Sequence, residues 1–91
     1  MKFTGQVLDI GSLQEFKTNN SEIPLLKRMI HLKLHKKESV FFEVRNKYLP
    51  QLQSPDPIII GDTIEVDIVF LGSSKNGIKF NNLLATKITK L

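Results

Sequence analysis

The stretch "FLGSSKNGIKFNNLLATKI", residues 70–88, decides how the chain folds. Two readings compete for it. Gly72-Ser73-Ser74-Lys75-Asn76-Gly77 has the glycine spacing of a phosphate-cradling loop. Such a loop needs Lys and then Ser or Thr directly after its second glycine, and it must open a helix whose N-terminus meets the anion. Here Gly77 is followed by Ile78-Lys79-Phe80, and the residues beyond alternate as a strand does. Asn76-Gly77 between two β-rich runs supplies the two positive φ angles of a type I′ turn. The segment reads as a β-hairpin.

Working outward, the same alternation recurs. Residues 2–10 read as a strand with a bulge or bend at Gly5, and residues 13–16 as a short ragged one. "KTNNSEIP", residues 17–24, is polar and turn-rich, the composition of a mobile loop. In residues 27–34, Ile30, Leu32 and Leu34 take one face, and Met29, His31 and Lys33 the other. After the turn "HKKES", Val40, Phe42 and Val44 point in, and Phe41, Glu43 and Arg45 point out. Asn46 is placed to cap a short helix, "NKYLPQLQ", with Tyr48, Leu49 and Leu52 on its buried side. Beyond Gly61-Asp62, Ile64, Val66, Ile68 and Phe70 point in, while Glu65, Asp67, Val69 and Leu71 point out. The last strand, residues 78–89, is expected to bend near Asn81-Asn82. Phe3, Phe70 and Phe80 are read as core. Three strands, one short helix and two strands make an all-β chain, which a small barrel suits because closure removes its edges.

Composition bounds the function. With 91 residues the chain is read as one domain, residues 1–91, with a modest core. No cysteine is present, so disulfides and thiolate metal sites are excluded. The N-terminal "MKFTGQVLDI" lacks the apolar run of a signal peptide, no segment is apolar enough for a membrane span, and a cytoplasmic protein is the expectation. The net charge of +4 is segregated. Residues 27–47 carry seven Lys/Arg against two Glu, and residues 75–91 four Lys and no acid. Residues 56–67 carry four acids and no base. One basic and one acidic surface follow.

Nothing argues for catalysis. His31 and His35 share a strand face but stand about 13 Å apart at about 3.3 Å per residue, too far to hold one ion. Glu43, Glu65 and Asp67 lack any companion with the spacing of a nucleophile or base, and read as solubilising strand charges. No catalytic residue, metal or cofactor is expected.

The phrases "FTGQVLDI", "VFFEVRNKYLPQL", "IGDTIEVDIVFLG" and "NGIKFNNLLATKI" resemble small bacterial single-stranded-DNA-binding proteins of the OB fold. That group is similar to single-strand-binding proteins and the primosomal replication protein. The likeness spans the chain except residues 12–24. It implies a five-stranded Greek-key OB barrel with the helix between its third and fourth strands. It also implies nonenzymatic binding of a single-stranded nucleic acid, DNA rather than RNA. The chain lacks tryptophan. It ends in Lys87-Ile88-Thr89-Lys90-Leu91 where single-strand-binding proteins carry an acidic tail, so a specialised binder is expected rather than a general genome coat.

An OB barrel binds single strands on the face of its second and third strands, flanked by loops. Cations track the phosphates and flat side chains stack on bases. The candidates are Lys27, His31, Lys33, Phe41 and Arg45 on that face, Lys36 and Lys37 in the turn between the strands, and Lys75, Asn76 and Lys79 on the last hairpin. Phe41 is the most informative, since Phe42 fits the inward register and leaves Phe41 exposed among cations. A homo-oligomer, with a dimer as the guess, would lengthen the track. The alternatives are an OB adaptor that docks proteins in a replication or DNA-transfer assembly, and an RNA-binding OB protein.

Overall fold

In the computed structural model, which describes residues 1–17 and 23–91, each alternating run is a strand. β1 is Lys2–Ile10, β2 Gln14–Phe16, β3 Leu25–His35, β4 Glu38–Arg45, β5 Thr63–Lys75 and β6 Ile78–Lys90. A 3-10 helix, Asn46–Leu52, stands between β4 and β5. The loop expected over residues 17–24 lies, for residues 18–22, outside the described residues.

Closure depends on β1. Its first half pairs with β5, from Lys2 opposite Asp67 to Gln6 opposite Thr63. Its second half pairs with β3, from Gln6 opposite Lys33 to Ile10 opposite Ile30. The other neighbours are β3 with β4, β4 with β6, and β6 with β5. The ring β1-β3-β4-β6-β5 therefore closes. All its pairings are antiparallel except β4 with β6, which is parallel and rests on Glu43 opposite Leu84. This is the five-stranded Greek-key OB barrel, with its helix between the third and fourth barrel strands. β2, the ragged segment, pairs with Leu25 to Lys27 of β3 outside the ring.

Gly5 sits where β1 passes from one partner to the other. The bulge expected there lies instead between Val7 and Asp9. What Gly5 supplies is clearance: a Cβ would collide with the backbone carbonyl of Lys33 and come within 3.1 Å of Leu32 Cγ. Gly5→Ala is expected to cost about 1–3 kcal/mol in urea unfolding, the range for overpacking. Gly72→Ala provides the control, because a Cβ there meets only Asn81 Oδ1 at 3.7 Å. Equal losses in the two variants would refute the close approach as the reason for Gly5.

Alternation delivers the core. Val7, Ile30, Leu32, Phe42, Val44, Ile64, Val66, Ile68 and Ala85 point inward from the five strands, and Leu52 and Ile58 join them from the segment between β4 and β5. Tyr48 and Leu49 pack partly buried against this cluster. The helix differs from expectation at its start. Asn46 does not cap it: Arg45 holds the cap position without a side-chain capping bond to the helix, and Asn46 is the first helical residue, at φ 35°. Asn46 Oδ1 accepts from the backbone N–H of Leu26 at 2.7 Å, which ties the helix to β3. Farther along, Gln51 Nε2 donates to the Thr86 carbonyl at 3.2 Å and Gln51 Oε1 accepts from the Ile88 N–H at 2.8 Å. One side chain thereby satisfies backbone groups of β6.

The β5–β6 hairpin corrects three expectations. The turn is as read, with Asn76 at φ 54° and Gly77 at φ 78°. Phe70, however, is 55% exposed and Phe80 is exposed too. Strand pairing of β1 with β5 ends at Asp67, and Met1 still bonds Ile68, so from Val69 onward β5 has only β6 as its strand neighbour. Phe70 stays in phase with buried Ile68 but has passed the end of the core. Finally, β6 is regular at Asn81-Asn82, opposite Gly72 and Leu71, and its irregularity lies opposite Asp67 and Ile68 instead.

Asp62 pins the turn into β5. Its Oδ2 accepts from the Ile59 N–H at 2.9 Å and lies 3.3 Å from Lys90 Nζ. The Ile59 hydrogen bond, helped by Lys90 and opposed by burial, holds the carboxyl below its ordinary value. A depressed carboxylate stabilises the fold above its unfolded pKa, and that contribution is lost as pH falls through the folded value. Asp62→Ala is therefore expected to melt below the parent at pH 7, with the gap closing as pH drops below about 4. A gap unchanged between pH 7 and 2 would contradict this role.

Candidate nucleic-acid interface

The inward register of Ile30, Leu32, Phe42 and Val44 forces their neighbours onto the outer face of β3 and β4. Four cross-strand pairs form there: Lys27 with Arg45, Met29 with Glu43, His31 with Phe41, and Lys33 with Ser39. Phe41 is 58% exposed although Phe42 beside it is fully buried. Its ring does not stand alone. His31 stacks on it with centroids 4.1 Å apart and planes 13° from parallel. His31 Nε2 lies 2.9 Å from Ser39 Oγ, a hydrogen bond that fixes the imidazole in that orientation. The result is a stacked pair on the sheet surface with part of the Phe41 ring open to solvent. Exposed Lys33 lies on the side of this pair toward the turn, and Arg45 on the other.

The ten candidate residues fall into three places. Lys27, His31, Lys33, Phe41 and Arg45 share the β3–β4 face. Lys36 and Lys37 form the turn at the end of that hairpin, Lys36 at φ 43°. Lys75, Asn76 and Lys79 stand at the tip of the β5–β6 hairpin. That hairpin adds features the sequence reading did not assign. Phe70, Ile78 and Phe80 are exposed along it, beside Val69 and Leu71, which are outward as read. A shallow hollow of about 450 Å³ is lined by Gly72, Ser73, Ser74, Lys79, Phe80 and Asn81.

Glu43 is the chief correction on the face. Read as a solubilising charge, it is only 3% exposed. Its Oε1 lies 2.7 Å from Lys27 Nζ, and Arg45 Nη2 lies 3.2 Å from both carboxylate oxygens. The Lys27 ammonium also sits 4.8 Å from the centre of the Phe16 ring on β2. A buried carboxylate is tolerable when paired and hydrogen-bonded, and here two cations serve it. The cross-strand diagonal from Lys27 to Glu43 was legible in principle from strand register. The parallel approach of β6, which sets Leu84 opposite Glu43, was not.

The acids of β5 lie elsewhere on the ring. Glu65 is 3.6 Å from Lys2 Nζ on β1, and β5 neighbours neither β3 nor β4.

No protein-family model matches the sequence. No curated protein matches it either. Two solved structures do match in shape. One is a crystal form of the mitochondrial single-stranded DNA binding protein Rim1 from S. cerevisiae, with a TM-score of 0.63 and 17% identity, covering 100% of this chain and 92% of that one. The other is a second, selenomethionine-labelled form of the same yeast protein, with a TM-score of 0.53 and 15% identity over the same shares. At such identities the likeness establishes architecture: this chain carries an OB fold of the kind seen in that single-stranded DNA binding protein.

Proposed function

We propose that the chain is a nonenzymatic binder of single-stranded DNA, with bases stacking on Phe41 and phosphates following the basic residues of the β3–β4 hairpin and the β5–β6 tip. The observation that carries this reading is the exposed Phe41 ring, braced by His31 and set between Lys33 and Arg45. Ring surface beside cations is the chemistry single strands require, because every base has a π-face and every nucleotide a phosphate. The fold shared with a single-stranded DNA binding protein supports it. Base preference should be weak. A homodimer would lengthen the basic track.

The exposed apolar residues of the β5–β6 hairpin favour a second reading, an adaptor that docks another protein. Fluorescence anisotropy separates the two. On the binder reading, labelled dT and dA strands bind at low salt, a duplex binds more weakly, and rU reports how far RNA is accepted. Absence of single-strand binding at low salt would leave the adaptor reading.

A further inference from the structure

We propose that Glu43 acts as an internal counter-anion that withholds one positive charge of the β3–β4 face from the nucleic acid. It would thereby set the number of phosphates that this end of the site neutralises. This rests on the single-strand-binding reading above. Lys27 and Arg45 are the two cations at the helix end of the face, cross-strand partners on the outer side. Between them they carry +2. Glu43 contacts both, at 2.7 and 3.2 Å, and is nearly inaccessible to solvent. Lys27 and Arg45 each keep a partly exposed side chain. The trio therefore presents +1 to an approaching strand, with the compensating negative charge beneath the surface where a phosphate cannot displace it by simple contact. Glu43 touches no nucleotide; it acts through Lys27 and Arg45 as a positioning residue.

The consequence is quantitative. If Lys27, Arg45, Lys33 and Lys79 each neutralised a phosphate, log affinity for a single strand would fall against log salt with a slope of about −2.8. With Glu43 absorbing one charge, the slope is about −2.1. Glu43→Gln keeps the side-chain shape and removes the charge. The variant is expected to bind dT oligonucleotides more tightly at low salt. It should also steepen the slope by about 0.7, an extra loss of about 2.6-fold between 50 and 200 mM salt.

The experiment is a salt titration of dT binding by anisotropy for the parent, Glu43→Gln, and the double variant Lys27→Met with Glu43→Gln, with circular dichroism reporting the folded fraction. The expected result is a steeper slope for Glu43→Gln and a return to the parent slope in the double variant, which again presents +1. A Glu43→Gln slope equal to the parent's overturns the proposal, even if that variant melts lower, because a purely structural brace changes stability without changing the count of released counterions. If Glu43→Gln does not fold, the double variant decides alone: a slope flatter than the parent's by about 0.7 overturns the proposal. If the parent binds no single strand at low salt, the binding reading itself fails and takes the proposal with it. That outcome is distinct from a parent that binds while its variants show no change in slope.

Discussion

Phe42→Ala is expected to cost the fold about 3–5 kcal/mol, the range for truncating a buried phenylalanine. Phe42 is the largest of the fully buried side chains, and it points into a barrel whose other walls are Val7, Ile30, Leu32 and Val66. The wall around it is sheet tied into a ring, so it can collapse into the vacated space only in part, and the cavity adds to the lost transfer energy. A domain of ordinary stability holds about 5–15 kcal/mol, so the variant should be largely destabilised at physiological temperature. Urea unfolding of parent and variant checks it. A loss below about 1 kcal/mol would mean that the inward register of β4 is wrong.

The neighbouring substitution should do the opposite. Phe41→Ala removes a ring that is mostly in solvent and stacked on His31. The fold should lose no more than about 1 kcal/mol, the scale of one cross-strand pair. Single-strand affinity should fall by about 1–3 kcal/mol, the range for one stacked base. His31→Ala should reproduce part of that loss, since it removes the imidazole stacked on the Phe41 ring. Equal affinities in parent and Phe41→Ala, both folded, would remove Phe41 from the site.

That two adjacent phenylalanines can be assigned opposite fates follows from period-two alternation. Val40, Phe42 and Val44 are apolar in phase, and Glu43 and Arg45 exclude the other phase from the core. The same logic made the five barrel strands readable, and the positive-φ preference of Asn-Gly did so for the turn at Asn76-Gly77. It fails where local pattern stops carrying the information. Phe70 is in phase with Ile68, and alternation says which way a side chain points but not where the core ends. That limit is set by the last pairing of β1 with β5, a contact between residues 65 positions apart in the chain. Glu43 fails for a related reason. Its outward direction was legible, but its burial depends on the parallel approach of β6 and on Lys27 and Arg45 closing over it. Asn46 has the composition of a helix cap, yet its side chain accepts from the Leu26 N–H on β3, a tertiary demand that overrides local preference.

The stacked His31–Phe41 pair was legible only in parts. Both residues were placed outward on neighbouring strands, but whether they stand opposite depends on the hairpin register. The tight turn at Lys36-Lys37 and the irregularity between Lys33 and His35 set that register. Two separate outward aromatics thus become one flat feature.

The most direct test is a backbone amide titration by heteronuclear NMR with a dT oligonucleotide at low salt. The expected result is that the largest shifts fall on the outer face of β3 and β4, at His31, Lys33, Phe41 and their neighbours, with further shifts around Lys75 to Lys79 and little change at Glu65 and Asp67. Shifts centred on Glu65 and Asp67, with the His31–Phe41 pair silent, would place the strand on the opposite side of the barrel and contradict the site.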